Sequence, residues 1–523
     1  MRKATLQIYE QEIDDLYRAV ELAHDGPPAG SNSTVNLNRL RSVVEAVQTA
    51  CKESTTVGAV DMDEELLARG VDSLQVLSDD EARRKSEVEK TLGLFINRID
   101  QLAEAQSHVV STHKSRDTDP HVCIITGTTG YIGSYILRSL MQSTRVGTIY
   151  CLDRGSDSAS RQRIHNAEVD EELPTAFADT VHFLEEDLTH ETFGLEPGMF
   201  QAVSSSATLI IHTAWPVDFN LLLSSFIEHL VGVKNLCNFS AQCPLRPDFM
   251  FLSSVSAVMN LAFRPGTVLP EEIIEDLSAP VAAGYGESKY LAERMLDHAV
   301  KKLHIPATVV RIGSVCGATL SPGRWNPKEW LPRLIMGSFS LGVIPDSLGD
   351  YDPGTMDVTW LPIDVLADVL VEIAMKERAA LAQGRLLTGA PVYHLMNPER
   401  TSWRVVLPSI VEALRGPSGR ESLGESRDGR PVAVGPRLEW LNKLRAVTTN
   451  LGDLGSAQEA TPVNPALKLV DFYEEKLREK VFPQWEMANA ISTSHSLQEA
   501  GSVIPPDMEK WIRIWWDSEG MAV

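Results

Sequence analysis

The sequence predicts a doubly wound α/β fold: a parallel sheet with helices on both faces, preceded by a small helical domain and carrying a C-terminal subdomain. Three observations predict it. From His121 to about Val315, strand-like runs alternate with helical ones: VCIIT, TIYCL, VHFL, LIIHTA, DFMFLSS and ATVVRIG. That is the pattern of parallel strands joined by helical crossovers. The first run passes straight into Gly127-x-x-Gly130-x-x-Gly133 and an amphipathic helix, and about 150 residues later stands Tyr285-x-x-x-Lys289. Either motif alone is weak. In this order, with strands between them, they point to a bound dinucleotide and to a tyrosine that passes a proton while a hydride moves.

Bulk properties narrow the class. The 523 residues leave room for roughly three domains, and 43% of them are hydrophobic, enough for a sizeable core. No apolar run reaches the roughly 18 to 20 residues of a membrane helix. The opening MRKATLQIYEQEIDDLY lacks an apolar signal region, so a cytoplasmic protein is expected. A formal charge of −23 argues against nucleic acid and anionic membrane as partners. Cys51, Cys123, Cys151, Cys237, Cys243 and Cys316 show no metal-type spacing and read as free thiols, mostly buried. The histidines are dispersed, so no metal is expected.

Residues 1–33 read as a short helix followed by the linker AHDGPPAGSNS, and 34–107 as a helical, charged domain. STHKSRDTDP makes 108–120 a linker, which leaves 121–523 for the nucleotide-binding domain, with a substrate subdomain largely at 318–523.

Each glycine of the first motif has a physical task. One permits the tight turn, one lets backbone N–H groups approach a pyrophosphate, and one allows close packing of helix on strand. The phosphates then lie on the helix N-terminus, with Thr129 and Ile132 in the same loop and first turn. The spacing resembles that of extended short-chain dehydrogenases/reductases. Asp153, 20 residues past Gly133, stands where an acid would bind a ribose 2′-hydroxyl. Arg154, Arg161 and Arg163 follow, and guanidinium forks suit a 2′-phosphate. The arginines favour NADPH, held by Arg154 and Arg163, with Asp153 turned aside or paired. Asp187 and Leu188 follow the third strand and Ala214 the fourth, all expected at the cofactor; a capping role for Asp187 is equally open.

Tyr285 and Lys289 share a helix face. A free phenol titrates at about 10, so a neighbouring ammonium is expected to lower it toward neutrality, and that lysine can also hold the nicotinamide ribose. FMFLSSVSAV supplies Ser253, Ser254 and Ser256 as candidates for gripping a carbonyl oxygen. Side chains alternate along a strand, so one serine points into the cleft, and Ser254 is the choice.

From His121 onward the chain resembles the thioester reductase domains that end fungal non-ribosomal-peptide-synthetase-like enzymes and aminoadipate reductases. The resemblance rests on ITGTTGYIGSYIL, HTAWPVDFN, FLSSVSAV, GYGESKYLAERML, RIGSVCG and NPALKLVDFYEE. Upstream, MDEELLARGVDSLQVL resembles the attachment motif of a carrier domain, with Ser73 as the serine bearing 4′-phosphopantetheine, and the first residues resemble the end of an adenylation domain.

The resemblance implies NADPH-dependent reduction of a carrier-bound acyl thioester to an aldehyde, or onward to an alcohol, with Ser254 and Tyr285 stabilising the oxyanion. It implies a carrier acting in cis or in trans, and a separate adenylating enzyme. The carrier departs from its pattern after Leu77: SDDEARRKSEVEK is almost wholly charged, and a single amphipathic helix, TLGLFINRIDQLAEA, follows. Two other readings stay open: a reductase or epimerase acting on a free small molecule, and a non-catalytic relic.

Overall fold

The computed structural model describes residues 64–106, 120–262, 266–349, 357–415, 432–451, 464–477 and 484–518. The segment predicted at 1–33 and the start of the predicted carrier domain lie outside the described residues, as does nearly all of the 108–120 linker.

Seven strands form one sheet: β1 (His121–Thr126), β2 (Val146–Asp153), β3 (Val181–Glu185), β4 (Leu209–His212), β5 (Asp248–Ser254), β6 (Ala307–Ile312) and β7 (Val392–Leu395). Their spatial order is β7-β6-β5-β4-β1-β2-β3, and every neighbouring pair is parallel. The winding reverses between β1 and β4, and the crevice at the carboxyl ends of strands beside such a reversal is where α/β sheets bind ligands. Thr126 pairs with His212 on one side and Leu152 on the other, so β1, β2 and β4 all end at the same edge.

Both faces are covered, as a parallel sheet requires. Phe249 and Phe251 of β5 face a core shared with α5 (Ile227–Gln242) and α6 (Gly284–Leu303). Met250 and Leu252 face the opposite core, shared with α2 (Tyr131–Gln142) and α8 (Ile363–Ala382). A third core, built on the buried Trp325, Trp403, Trp440, Trp511 and Trp515, forms the C-terminal subdomain.

The structure refines two expectations. Within 318–523, expected to be largely substrate subdomain, α8 packs on α2 and β7 adds the seventh strand beside β6. VYHL is a four-residue, wholly buried run, too short for periodicity to distinguish strand from helix. The described part of 34–107 does not form a multi-helix carrier. It is a single 43-residue helix, α1 (Glu64–Gln106). Ser73 lies about three turns in, and the charged stretch continues the helix rather than breaking it. Val88, Phe95 and Ile99 recur at helical spacing and are buried against the neighbouring core, with α1 packed on α6.

Among the described residues no helix is long and apolar enough to cross a membrane, and no cluster of His, Cys, Asp or Glu could hold a metal ion. Cys123, Cys151, Cys237, Cys243 and Cys316 are buried free thiols.

Candidate functional site

The glycine loop leaves β1 with Gly127 at φ +75°, and a Cβ on Gly133 would fall 2.2 Å from the Gly127 carbonyl oxygen. Larger residues fit neither position. Gly130 is the N-cap of α2 and makes no side-chain cap, so the N–H groups of the first turn, Ile132 among them, face the crevice uncapped. Ile132 itself packs against the core on that face.

Asp153 does not project into the crevice. Its buried carboxylate accepts the Thr128 N–H at 2.8 Å, the Thr128 hydroxyl and the Thr129 N–H, and so clamps the glycine loop. Arg154 is exposed and lines a cavity of about 320 Å³ together with Glu186, Asp187, Leu188, His212, Ala214 and His229. The other two arginines turn elsewhere. Arg161 folds back on Asp157 and the Arg154 carbonyl, and Arg163 lies over the Phe177 ring, 5.6 Å from its centroid. Spacing along a helix could not show this, because local partners decide it.

Asp187 does both things open to it. It lines the cavity, and it caps the turn by accepting the Thr189 N–H at 2.9 Å and hydroxyl at 2.6 Å, which hold its carboxyl below the usual range. The Ala214 N–H donates to the Thr126 hydroxyl at 3.2 Å. Glu186, Thr189, His212, Glu228, His229 and Gly232 of this cavity escaped the sequence reading. Burial pushes Glu186 up to about 7, His212 down to about 3 and His229 down to about 4. The Oε2 of Glu186 and the Nε2 of His212 are buried without partners. The only signal for Glu186 and His212 was position, at the carboxyl ends of β3 and β4. The uncapped helix start and these orphaned polar atoms fit the pyrophosphate and adenosine of a dinucleotide.

The two serines of β5 part as alternation demands. Ser253 donates to Glu293 at 2.5 Å, within a buried network where Arg311 grips the same carboxylate at 2.8 Å. Ser254 turns the other way: its hydroxyl bonds the Tyr285 phenol and accepts the Ser256 N–H at 3.2 Å.

Tyr285 and Lys289 lie in the first turns of α6, both buried. Lys289 Nζ donates to the Leu252 carbonyl at 2.5 Å and lies 4.5 Å from the Trp215 ring centroid and 4.6 Å from that of Phe251. The expected lowering of the phenol does not hold here. Burial pushes Tyr285 up to about 12 against the opposing hydrogen bond from Ser254, and desolvation drives Lys289 well below its usual value. Trp215, which closes off the lysine, was not anticipated.

Phe219 meets the Tyr285 ring edge-on at 5.1 Å and contacts Phe472 at 5.8 Å, and Phe472 in turn lies 6.1 Å from Trp330. An aromatic wall thus leads from the phenol into the C-terminal subdomain.

Residues 125–370 match the NAD-binding sequence family described as male sterility protein. The match supports a nicotinamide dinucleotide as the cofactor of that segment. The chain is similar to a carboxylic acid reductase from Neurospora crassa, 28% identical over 98% of this chain and 50% of that protein. It is also similar to the adenylate-forming reductase Nps10 from Heterobasidion annosum, 27% identical over 99% of this chain and 48% of that one. The chain thus spans about half the length of these curated relatives. Among solved structures it shares the fold of the terminal R domain from the myxalamid PKS-NRPS pathway. There the TM-score is 0.61 at 18% identity, over 82% of this chain and 99% of the other. The reductase domain of a nonribosomal peptide synthetase from Mycobacterium tuberculosis gives 0.59 at 20% identity, over 76% and 92%.

Proposed function

We propose that this chain reduces a carrier-bound acyl thioester to an aldehyde, using NADPH. The observation that carries this reading is the hydrogen-bonded pair Ser254–Tyr285 at the carboxyl end of β5, beside the dinucleotide crevice, with Lys289 in the next turn of the same helix. Relatives named as carboxylic acid and adenylate-forming reductases support it.

When bound, NADPH supplies the hydride that the thioester carbonyl carbon accepts. The Ser254 hydroxyl and the Tyr285 phenol then meet the carbonyl oxygen as it gains the electron pair, and fixed donors at that point are the main electrostatic contribution a protein makes. A phenol raised to about 12 stays protonated at neutral pH, which suits a proton donor and not a base. Tyr285 passes its proton to the oxygen. The hemithioacetal then loses the thiol as the C–S bond breaks, which leaves the aldehyde. Lys289 steadies the end of β5 through the Leu252 carbonyl, and Arg154 would hold the 2′-phosphate.

The acyl group reaches the site on a phosphopantetheine arm loaded by a separate adenylating enzyme, and it lies along the wall of Phe219, Phe472 and Trp330. Incubation with NADPH and a panel of pantetheine and N-acetylcysteamine thioesters tests the reading. Aldehyde should form in step with loss of NADPH absorbance; absence of reduction across aliphatic and aromatic acyl groups would overturn it.

A further inference from the structure

In a doubly wound nucleotide fold, the acid that reads the adenosine ribose stands at the end of the second strand. Here that acid, Asp153, is closed in on Thr128 and only 3% exposed. Of the carboxylates that line the cavity with Arg154 (Glu186, Asp187 and Glu228), Glu186 stands directly after β3. It is 8% exposed, its carboxyl takes the Leu188 N–H, and its Oε2 is buried with no partner. A buried acceptor left without a donor costs stability, so its place in a ligand cavity points to a group that the ligand brings.

We infer that Glu186 is the residue that reads the adenosine ribose 2′-position, working against Arg154 to set the choice between NADPH and NADH. The inference rests on the proposed NADPH-dependent function. An ionised Glu186 accepts a 2′-hydroxyl and repels a 2′-phosphate, whereas a protonated one donates to the phosphate. Arg154 favours the phosphate in either state. The other charged or titratable groups around the cavity are Asp153 at the end of β2, Asp187 beside Glu186, Glu228 and His229 from α5, and His212 from β4. Burial raises Glu186 to about 7, so its charge changes within the working range, and preference for the phosphate weakens as pH rises through that value.

The test is calorimetric binding of NADP⁺ and NAD⁺ to the full chain at pH 6 and pH 8, for the wild type and for Glu186→Gln. The 2′-phosphate itself titrates near this range, and the variant corrects for that. In the wild type, relative to the variant, the NADP⁺ to NAD⁺ affinity ratio should fall about tenfold between the two pH values, the change that one unit of differential pKa represents. The variant should favour NADP⁺ more strongly than the wild type at pH 8. Equal ratios in the two proteins, with both dinucleotides bound, would overturn this inference and leave the proposed function standing. Failure of the wild type to bind either dinucleotide would overturn both. Should the variant not fold, Glu186→Asp and the wild-type pH series decide: a wild-type ratio that does not fall overturns the inference.

Discussion

Arg84 reaches across 203 residues of sequence to pair with Glu287, Nη2 to Oε1 at 2.9 Å, midway along the helix between Tyr285 and Lys289. The guanidinium takes the same oxygen through Nε at 3.1 Å. A helix whose sequence was read as the tail of a carrier domain is therefore a brace on the helix that bears the candidate catalytic pair. His298 and Asp100, 2.8 Å apart, repeat the contact three turns further along.

Arg84→Ala should destabilise the chain by about 2 kcal/mol, because it leaves the buried Glu287 carboxyl unpaired. Burial already raises that carboxyl above its usual 4.5, against the pull of Arg84. A group bound more tightly to its proton in the folded state loses stability as pH rises. The defect should therefore be small at pH 4, where Glu287 is protonated in both states, and full above its folded value. Adding Glu287→Gln should restore most of it. Thermal melts of the single and double variants across pH check this; a pH-independent loss would show that packing, and not charge, is responsible.

Tyr285→Phe should bind dinucleotide almost as the wild type does and lose at least about two orders of magnitude in turnover, the lower end of what a positioned acid contributes. Stopped-flow turnover beside cofactor titration separates the two quantities. Turnover left unchanged would remove Tyr285 from the mechanism.

Arg154→Ala should weaken NADPH by about 1.5 to 3 kcal/mol, the range for hydrogen bonds to a charged group, and change NADH little. Arg163→Ala should leave both affinities near wild type, since its side chain lies on Phe177 and not in the cavity. Fluorescence titration with the two cofactors measures this directly, and a large NADPH loss in Arg163→Ala would mean that α3 (Ser158–Val169) rearranges when cofactor binds.

Ser73→Ala should still reduce a thioester supplied in trans, because among the described residues the serine lies within one continuous helix that packs on α6. Intact mass after incubation with coenzyme A and a promiscuous phosphopantetheinyl transferase provides the check. Stoichiometric gain of the arm, with loss of product in Ser73→Ala, would show instead that the chain serves itself in cis.

The sequence by itself made six of the seven strands, the glycine turn at the switch point and a set of candidate hydroxyls legible. Gly127, Gly130 and Gly133 announce a close approach of backbone that no other residue allows, and Ser254, Tyr285 and Lys289 are legible because strand alternation and helix spacing are local rules. The tertiary structure decided what local rules cannot reach. Asp153 turned to Thr128, Arg163 to Phe177 and Lys289 to Leu252, each drawn by a partner 14 to 37 residues away. Burial, which depends on the whole chain, raised the phenol of Tyr285 where the Y-x-x-x-K spacing suggested the reverse. Likewise α1 reads as a charged stretch followed by an amphipathic helix with no partner named, because a stripe as sparse as Val88, Phe95 and Ile99 becomes a core only when another surface, here α6, excludes water from it.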